Sequence, residues 1–552
     1  MATLCQTKDN SFLKRLFTSF FLLILSVFLF ALPQPNLFSL SGIPILAYIA
    51  LVPVFLLVRF VSWKTVWLCG LFYGIGSYCL FTYWLASFHP LGITVISVMY
   101  GLYLMIAFPL LKAAASLFPK KGWIVQWIVW CAYDYVKTLG FSGFHYGVIA
   151  YSHWRWLPMI QCTDLVGVWG LDAFITFFSA WITGVIVDCY RLNKNINLKD
   201  FFSVILKHKL SIVIWFFVLF AILIYGFIAP IDYSSDKKTT IALIQQNSDP
   251  WIGGNKSIEK DLDVLMNLSD KALQSDPNID FVVWPETAFV PRIKWHYEHR
   301  YDRVKISFVE KLLNYINNAP VPFVIGNDHG VDGFTRAGKY DIIDYNSVLL
   351  FRPNENVIPP NPEIYSKMKL VPFTEYFPVE KQFPKLYEML LNFDTHLWEP
   401  GIEPVVFNIG DLKFGTPICF EDTFGFVGRR FVNAGANAFV NLSNDAWSKS
   451  LACQYQHLSM ATFRSVENRV PSVRATATGQ TCVIDPNGKI LDMVEPFTEA
   501  FLVTSIPIRN MENKTLYTKW GDYVGVIAFI ATVVLLVLGI ILKIYNFVCR
   551  KK

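Results

Sequence analysis

Three residues in the second half of this 552-residue chain have the types and the order that nucleophilic acyl chemistry requires: Glu286, Lys367 and Cys419. A cysteine attacks as its thiolate, so a carboxylate that accepts the thiol proton and a nearby cation would make Cys419 a competent nucleophile. Taken singly, each residue has a plainer interpretation. A charge at a strand end is commonly a solvated surface group, and a cysteine among apolar residues is commonly a small core residue.

The sequence around these residues is similar to that of the carbon-nitrogen hydrolase (nitrilase) superfamily, whose Glu-Lys-Cys triad occurs in this chain order. The resemblance is closer still to the apolipoprotein N-acyltransferase family, and it extends over nearly the full length. That family's W-P-E-[TS]-A motif is matched by residues 284–288, its Y-x-K-x-x-L-V-P-F-G-E motif by 365–375, and its cysteine motif by 418–421. Further segments fit the rest of its pattern: residues 441–447, 456–458, 464, 467–468 and 474–476.

The resemblance implies a two-step acyl transfer. Glu286 would accept the proton of Cys419, the thiolate would attack an ester carbonyl of a membrane phospholipid, and Lys367 would help to stabilise the tetrahedral oxyanion. The thioester on Cys419 would then pass its acyl chain to the α-amino group of the S-diacylglyceryl cysteine at the N-terminus of an apolipoprotein. The product would be a triacylated lipoprotein.

The resemblance also implies a set of supporting residues. Glu375 and Glu421 carry over as site residues, and Asn346 is a weaker candidate; Glu375 would orient or charge Lys367, and its alternative is a surface carboxylate. Phe420, beside the nucleophile, replaces the family's usual Tyr and lacks its hydroxyl. Trp251 is a candidate lid or acyl-contact residue, with packing in the core as an equal alternative.

The motif alignment decides between two neighbouring lysines. Lys367 matches the family's lysine and leaves Lys369 as a neighbour, whereas strand periodicity does not choose between them, because alternate residues of a strand share one face. The apolar residues that follow predict a strand between these lysines and Glu375. Outside the triad, the sequence departs from the family where a Gly, an aromatic residue and an Asn are common: Thr374, Ser448 and Ala477.

The composition indicates which elements must position these residues. With 54% hydrophobic and 16% charged residues and a mean hydropathy of +0.39, the chain is neither disordered, nor fibrous, nor an ordinary soluble protein. Residues 1–230 hold six acidic residues and 15 Lys or Arg, whereas the remainder holds 36 acidic and 33 basic residues. The positive charge therefore belongs to a membrane-like segment and does not indicate nucleic-acid binding.

The apolar runs predict eight transmembrane helices, because about 20 helical residues cross a hydrocarbon core of about 30 Å. No small-x-small cleavage pattern follows the first run, so we expect it to be a retained helix and not a signal peptide. Seven runs precede residue 231 and one follows the soluble segment: residues 16–32, 41–59, 65–86, 91–117, 122–140, 160–187, 210–229 and 523–546.

The basic residues predict the orientation, since short loops rich in Lys and Arg stay in the cytoplasm. Both termini are then cytoplasmic, and the segment after the seventh run lies outside. The resemblance places such a protein in the bacterial inner membrane, with the catalytic domain in the periplasm. The basic residues of these loops and of the C-terminal tail are Lys8, Lys14, Arg15, Arg59, Lys64, Lys120, Lys121, Arg191, Lys194, Lys199, Lys207, Lys209, Arg550, Lys551 and Lys552.

The predicted domains are a membrane domain (1–230), an extracytoplasmic catalytic domain (231–508) and a last helix with a basic tail (509–552). Apolar runs that alternate with stretches of helical spacing predict an α/β domain, and the resemblance implies the nitrilase-like α-β-β-α sandwich. Strands are expected at 240–245, 281–284, 322–326, 347–351, 414–420 and 438–442, and helices at 257–274 and 301–317.

Other polar residues have weaker implications. The spacing of Asp134 and Lys137 predicts a structural ion pair in the membrane, while Asp164 and Asp172 would either hold the start of the sixth span or meet a head group. A disulfide between Cys453 and Cys482 is an open alternative to free thiols. No metal-ligand spacing and no Walker or Rossmann motif indicates a cofactor, and we expect a monomer.

Two other functions remain open. A membrane-tethered amidase or nitrilase could use the same triad with water in place of the amine and a small amide as substrate. A transporter could carry an inactive domain of this fold as a binding module. The helix arrangement argues against the first and the intact triad against the second, and fold alone does not decide function.

Overall fold

The computed structural model describes residues 2–88, 90–192, 198–249, 252–334, 340–391 and 397–549. The chain forms two compact units. One comprises Met1–Ala229 with Asp522–Lys552, and the other comprises Pro230–Gly521. The second unit is inserted in the sequence of the first.

The helices of both units are numbered here in chain order. They are α1 (Ala2–Ala31), α2 (Val52–Phe60), α3 (Val66–Phe81), α4 (Leu85–Phe88), α5 (Pro90–Leu117), α6 (Gly122–Val136), α7 (Leu157–Ile160), α8 (Thr163–Leu192), α9 (Leu198–Lys207), α10 (Lys209–Ile228), α11 (Asn255–Ser275), α12 (Ile293–His299), α13 (Arg303–Asn317), α14 (Pro384–Leu391), α15 (Gly425–Asn433), α16 (Leu451–Asn468), α17 (Leu516–Trp520) and α18 (Tyr523–Cys549).

Within the described residues, five helical stretches of the first unit are long and apolar enough to cross a membrane: Lys14–Ala31, Leu91–Leu117, Thr163–Arg191, Lys209–Ile228 and Tyr523–Cys549. On α10, large apolar side chains such as Phe217 (72% exposed) and Phe227 (75%) face outward. A helix that is apolar on all sides is typical of a membrane span.

The prediction of eight full-length spans is confirmed only for these five. The run 41–59 divides into the 3₁₀ helix Pro44–Tyr48 and α2. The helix of 65–86 is α3, with 16 residues, and that of 122–140 is α6, with 15. At 1.5 Å per residue these two helices are about 22–24 Å long, which is shorter than a hydrocarbon core of about 30 Å.

Buried polar residues are paired within the helical unit. Lys137 Nζ lies 2.7 Å from Asp134 Oδ1, with both side chains 1% exposed, so the predicted ion pair is confirmed. The hydroxyl of Tyr225 lies 2.9 Å from both carboxylate oxygens of Asp164. Asp172 Oδ1 accepts a hydrogen bond from the backbone N–H of Ala150 at 3.3 Å. Both of these aspartates therefore hold neighbouring segments of the unit.

The described residues of the second unit form twelve strands: β1 (Lys238–Gln245), β2 (Phe281–Trp284), β3 (Phe323–Phe334), β4 (Tyr340–Phe351), β5 (Glu363–Ser366), β6 (Val406–Ile409), β7 (Leu412–Gly415), β8 (Ala438–Ser443), β9 (Ser472–Thr476), β10 (Cys482–Ile484), β11 (Ile490–Met493) and β12 (Ala500–Pro507). They make two six-stranded sheets, ordered β12-β1-β2-β3-β4-β5 and β11-β10-β9-β8-β7-β6. The two sheets have the same pattern of strand pairing. Counted from β12 in the first sheet and from β6 in the second, the first pair is antiparallel, the next two are parallel and the last two are antiparallel.

Each sheet has helices on one face and the other sheet on its second face. Helices α11 and α13 bury apolar residues such as Leu265 and Leu312 with Trp284 and Phe323 of the first sheet. Between the sheets, the rings of Phe281 and Phe414 stack with centroids 5.4 Å apart. Helices α15 and α16 connect the parallel strands of the second sheet. The predicted α-β-β-α sandwich is therefore confirmed.

Two strand predictions around the candidate site are wrong in detail. The predicted strand 414–420 ends at Gly415, and Cys419 begins the 3₁₀ helix Cys419–Thr423. The apolar residues after Lys367 form no strand in the described chain; β5 ends at Ser366, and Pro372 pairs only in an isolated bridge. In both places an internal proline cannot donate to a strand ladder.

Candidate active site

Glu286 lies immediately beyond β2, where Pro285 ends the strand. The residue is 5% exposed, and its carboxylate accepts three hydrogen bonds. Asn346 Nδ2 (2.8 Å) and Lys367 Nζ (3.1 Å) donate to Oε1, and the backbone N–H of Asn444 (2.9 Å) donates to Oε2. The next residue, Thr287, has φ 45°, a left-handed conformation that is uncommon for a β-branched residue. Such strain is found where function fixes the backbone.

Lys367 follows the last residue of β5, and its side chain is fully buried. Besides its contact with Glu286, Nζ donates to Glu375 Oε1 at 2.8 Å. The backbone N–H of Val371 donates to Glu375 Oε2 at 2.9 Å and fixes that carboxylate. The ammonium therefore lies between two carboxylates, and the surface-carboxylate alternative for Glu375 does not describe its position.

Cys419 is 8% exposed and begins a 3₁₀ helix with φ 46°. The backbone before it is held by neighbouring side chains, since Asn441 Nδ2 donates to the carbonyl of Pro417 at 2.9 Å. Glu286, Lys367, Asp445 and Glu375 are close enough to Cys419 to influence its thiol electrostatically. Three residues from three separate loops thus meet in one buried place.

Glu421 joins two of these loops. Its Oε1 accepts hydrogen bonds from the backbone N–H groups of Met368 (2.7 Å) and Lys369 (2.9 Å), and its Oε2 accepts one from Ile418 (2.8 Å). The side chain is fully buried. Burial raises its pKa to about 7, against the effect of the backbone donors. A single carboxylate therefore fixes the spacing between the cysteine loop and the lysine loop.

The electrostatics of the site keep a cation beside a protonated thiol. Burial raises the pKa of Cys419 well above its ordinary value; Glu286 raises it further, and Lys367 acts in the opposite direction. For Lys367, burial acts to lower the pKa, but Glu286 and Glu375 outweigh it and the pKa is raised. Burial also raises the pKa of Glu375, with Lys367 opposing. Because the resting thiol is protonated, its attack on a carbonyl requires a base. Glu286 is a buried carboxylate that contacts Lys367, and both residues are near the Cys419 thiol.

The remaining predicted residues have different positions. Phe420 is buried and packs edge-to-face on Phe424, with ring centroids 4.8 Å apart. Trp251 lies outside the described residues. Cys453 and Cys482 are both buried free thiols, so the structure contains no disulfide between them. Lys369 is half-buried, and its ammonium lies 5.1 Å from the ring centroid of Phe424. The lysine that contacts Glu286 is Lys367.

Sequence reasoning assigned no role to four buried residues behind Cys419: Asp422, Asp445, His457 and Arg474. His457 Nε2 lies 3.1 Å from the carbonyl oxygen of Cys419 and 2.7 Å from Asp422 Oδ1. All but Asp422 lie in segments that match the family pattern, and that was the available signal. Their spacing along the chain gave no indication that they meet.

Comparisons with known proteins agree over most of the chain. Residues 240–513 match the carbon-nitrogen hydrolase family, and residues 26–181 match the apolipoprotein N-acyltransferase N-terminal domain. Apolipoprotein N-acyltransferase 1 of Treponema denticola is 43% identical over 95% of this chain and 96% of its own length. The protein of that name from Treponema pallidum is 44% identical over 94% and 95%. Apolipoprotein N-acyltransferase of Borreliella burgdorferi is 30% identical over 91% and 92%.

Proposed function

The chain belongs to the apolipoprotein N-acyltransferase family, and we propose that Glu286, Lys367 and Cys419 perform the acyl transfer of that family. The donor is a membrane phospholipid, and the acceptor is the α-amino group of the S-diacylglyceryl cysteine of an apolipoprotein. The observation that carries the assignment of residues is the buried ammonium of Lys367, which contacts both Glu286 and Glu375 beside Cys419.

In the first half-reaction, Glu286 accepts the proton of the Cys419 thiol, and the sulfur attacks an ester carbonyl of the phospholipid. The ammonium of Lys367 stabilises the oxyanion that forms. When the carbon–oxygen bond breaks, the proton held by Glu286 passes to the departing alkoxide. A lysophospholipid leaves, and a thioester remains on Cys419.

In the second half-reaction, the amine of the apolipoprotein attacks the thioester, and Glu286 accepts the amine proton. The carbon–sulfur bond breaks, the amide forms, and the proton returns to the sulfur of Cys419. Asn346, whose amide donates to Glu286 at 2.8 Å, orients the base in both steps. Glu375 keeps Lys367 charged, Glu421 holds the two loops, and Phe420 and Trp251 contact lipid.

Intact mass spectrometry tests the donor step. Wild type and Cys419→Ala are incubated with phospholipid vesicles and no acceptor, and Cys453→Ala is the matched control, because Cys453 is also a buried free thiol of this unit. We expect wild type and the control to gain one fatty-acyl mass that hydroxylamine removes, and Cys419→Ala to gain none. A folded wild-type protein without an adduct would overturn the lipid-donor step.

The competing function is hydrolysis of a small amide by the same residues. It predicts that wild type turns over small amides and forms no acyl adduct from phospholipid. The proposed function predicts that wild type forms the acyl adduct from phospholipid and does not turn over small amides. It also predicts N-acylation when a diacylglyceryl-peptide is added. Matches over 94–95% of the chain to proteins named as N-acyltransferases support the latter.

We further propose eight spans, with both termini in the cytoplasm and the domains divided as 1–230, 231–508 and 509–552. The catalytic domain would lie in the periplasm of a protein that acts as a monomer in the inner membrane. The shorter helices α2, α3 and α6 would span with help from the segments that flank them. The distribution of basic loops supports this orientation.

Reporter fusions test the orientation. Alkaline phosphatase fused after residue 233 is active only in the periplasm, and green fluorescent protein fused after Lys552 fluoresces only in the cytoplasm. We expect both signals, and we expect an inactive phosphatase in a control fusion after Lys121. An inactive phosphatase after residue 233 would mean that an even number of segments crosses before the catalytic domain.

A further inference from the structure

Four charged residues form a compact buried group behind the nucleophile, here called the buried quartet: Asp422, Asp445, His457 and Arg474. Their exposures are 5%, 1%, 3% and 0%. His457 Nε2 lies 2.7 Å from Asp422 Oδ1, and Nδ1 lies 3.0 Å from Asp445 Oδ1. The guanidinium of Arg474 is bonded to Asp422 and lies 3.9 Å from Asp445 Oδ2.

The neighbours of the imidazole determine its protonation. Three oxygen atoms face the ring: one carboxylate oxygen of Asp422, one of Asp445 and the carbonyl oxygen of Cys419. Both carboxylates also face Arg474, which favours their ionised forms, and Ser443 Oγ donates to Asp445 at 3.4 Å. Because ionised carboxylates and carbonyls only accept hydrogen bonds, both ring nitrogens must donate.

The charges of the buried quartet then balance. The imidazolium and the guanidinium supply two positive charges, and the two carboxylates supply two negative ones. Buried ions are tolerated when they are paired and hydrogen-bonded in this way. Three thiols also lie near this group: Cys419 and Cys453 near Asp445, and Cys482 near Arg474. Burial raises the pKa of each thiol, so all three stay neutral and leave the balance unchanged.

His457 connects this group to the nucleophile through the backbone. Its Nε2 lies 3.1 Å from the carbonyl oxygen of Cys419 and 2.7 Å from Asp422 Oδ1, so the two oxygens share one N–H donor. Cys419 itself has the left-handed φ of 46°. A non-glycine residue adopts this conformation only when its surroundings hold it there. The peptide unit is planar, so fixing the carbonyl also fixes the N–H of Phe420, which points away from the buried quartet.

We propose that His457, held as an imidazolium between Asp422 and Asp445, is a positioning residue for acyl transfer, because it fixes the peptide that joins Cys419 to Phe420. Without it, that peptide rotates and the thiol leaves the position in which it reaches the ester carbonyl. The inference rests on the proposed acyl transfer through Cys419. It adds a residue that touches neither the substrate nor the reacting atoms.

The first test compares His457→Gln with wild type in single-turnover acylation by phospholipid vesicles. The control is Thr462→Ala, a buried residue of the same helix whose hydroxyl donates to the carbonyl of Leu458 at 3.0 Å. Because misplacing a reacting group carries a large rate penalty, we expect at least about tenfold slower acylation at saturating donor in His457→Gln, with half-saturation nearly unchanged. Equal rates for the two variants would overturn the positioning role.

The second test examines the charge. His457→Gln leaves the buried quartet one negative charge in excess, Asp445→Asn leaves one positive charge in excess, and the double variant is neutral. If the two substitutions acted independently, the fold-losses in acylation rate of the single variants would multiply in the double variant. We expect the double variant to lose less than that product. If His457 were neutral and shared a proton held by Asp445, Asp445→Asn would acylate like wild type. That result would overturn the assignment of His457 as an imidazolium.

Folding is included in the same comparison. If His457→Gln alone does not fold, recovery of folded protein in the double variant supports the charge balance, and failure to recover overturns it. The wild-type reaction separates this inference from the proposed function. A wild type that forms no thioester refutes acyl transfer itself, whereas a normal wild type with an equally fast His457→Gln refutes only the role of His457.

Discussion

The hydroxyl of Tyr365 lies 2.9 and 2.8 Å from the two carboxylate oxygens of Glu421. Tyr365 is the third residue of β5 and is fully buried, so it fixes Glu421 from the sheet. Glu421 in turn accepts hydrogen bonds from the backbone N–H groups of Ile418 and Met368. The sheet, the cysteine loop and the lysine loop therefore share one carboxylate, and the separation of Cys419 from Lys367 depends on it.

Glu421→Gln tests this relationship. The amide replaces an acceptor oxygen with an NH₂ group that faces backbone donors, so the two loops separate. We expect acylation to fall by about 10²-fold, as for a misplaced reacting group, measured as the rate of thioester formation by intact mass. Glu363→Gln, on the same strand as Tyr365, is the control, because Glu363 forms a partly exposed ion pair with Arg352. Loss of stability without loss of rate per folded molecule would contradict the role.

Gly326 is predicted to determine the position of Glu286. A Cβ at this position of β3 would lie 2.3 Å from the carbonyl oxygen of Pro285 and 2.6 Å from the Cα of Glu286. Gly326→Ala must therefore move the backbone that carries the base. We expect at least about tenfold slower acylation and a loss of about 1–3 kcal/mol of stability from overpacking.

The matched control for Gly326 is Gly333→Ala on the same strand. Its added Cβ would meet the end of the Ile343 side chain, which can move. We expect near wild-type acylation from Gly333→Ala. A slow control and a fast Gly326→Ala would show that the close approach to Glu286 is unimportant for the reaction.

Lys369 is predicted to make stability depend on pH. Burial lowers its pKa to about 8, whereas lysine in an unfolded chain titrates near pH 10.4. Since folding disfavours the charged form, the destabilisation is fully present below about pH 8 and disappears as the pH rises toward about 10. Relative to Lys369→Met, wild type should therefore gain thermal stability over that interval.

Thermal unfolding in detergent at pH 7, 8, 9 and 10 measures this difference. Lys413→Met, which removes an exposed lysine of β7, is the control and should show a constant difference from wild type. A constant difference for Lys369→Met as well would mean that Lys369 is ordinarily solvated in the native protein.

The ion pair between Asp134 and Lys137 is predicted to be structural. Lys137→Met leaves a buried carboxylate without its cation, a change that costs about 3–5 kcal/mol in such pairs. The double variant Asp134→Leu with Lys137→Met removes both charges and should recover most of the lost stability. Thermal unfolding measures both effects, with the exposed Lys120→Met as control. A double variant as unstable as the single one would assign the aspartate a role beyond this pair.

The sequence was most informative where the relevant physics is local. Trp284-Pro285-Glu286 predicted a strand that ends at a carboxylate, because a proline cannot continue the ladder, and β2 ends at Trp284 as expected. Long apolar runs predicted membrane-length helices, since hydrophobicity and length are properties of a segment alone. Where a run contained an internal turn, as between Pro44–Tyr48 and α2, counting apolar residues overestimated the helix.

The residues around Cys419 show the limit of this reasoning. A strand was expected to reach Phe420, yet the chain turns after Gly415 because Asn441 holds Pro417 and Glu421 holds Ile418. Glu421 lies only three residues from Ile418 and bonds it locally, but Asn441 lies 24 residues from Pro417 and reaches it only after β7 and β8 pair. Tertiary contacts therefore overrode the local apolar pattern.

By itself the sequence determined the types and order of the candidate catalytic residues, the family that their motifs resemble and the apolar segments that accompany them, because each motif or segment is written in contiguous residues. Only the tertiary structure decided that the ammonium of Lys367 contacts Glu286 and Glu375, that Glu421 joins two loops, and that His457 reaches the Cys419 carbonyl from 38 positions away. Such contacts depend on how sheets and helices pack, and packing brings together residues whose separation along the chain carries no information about their distance in space.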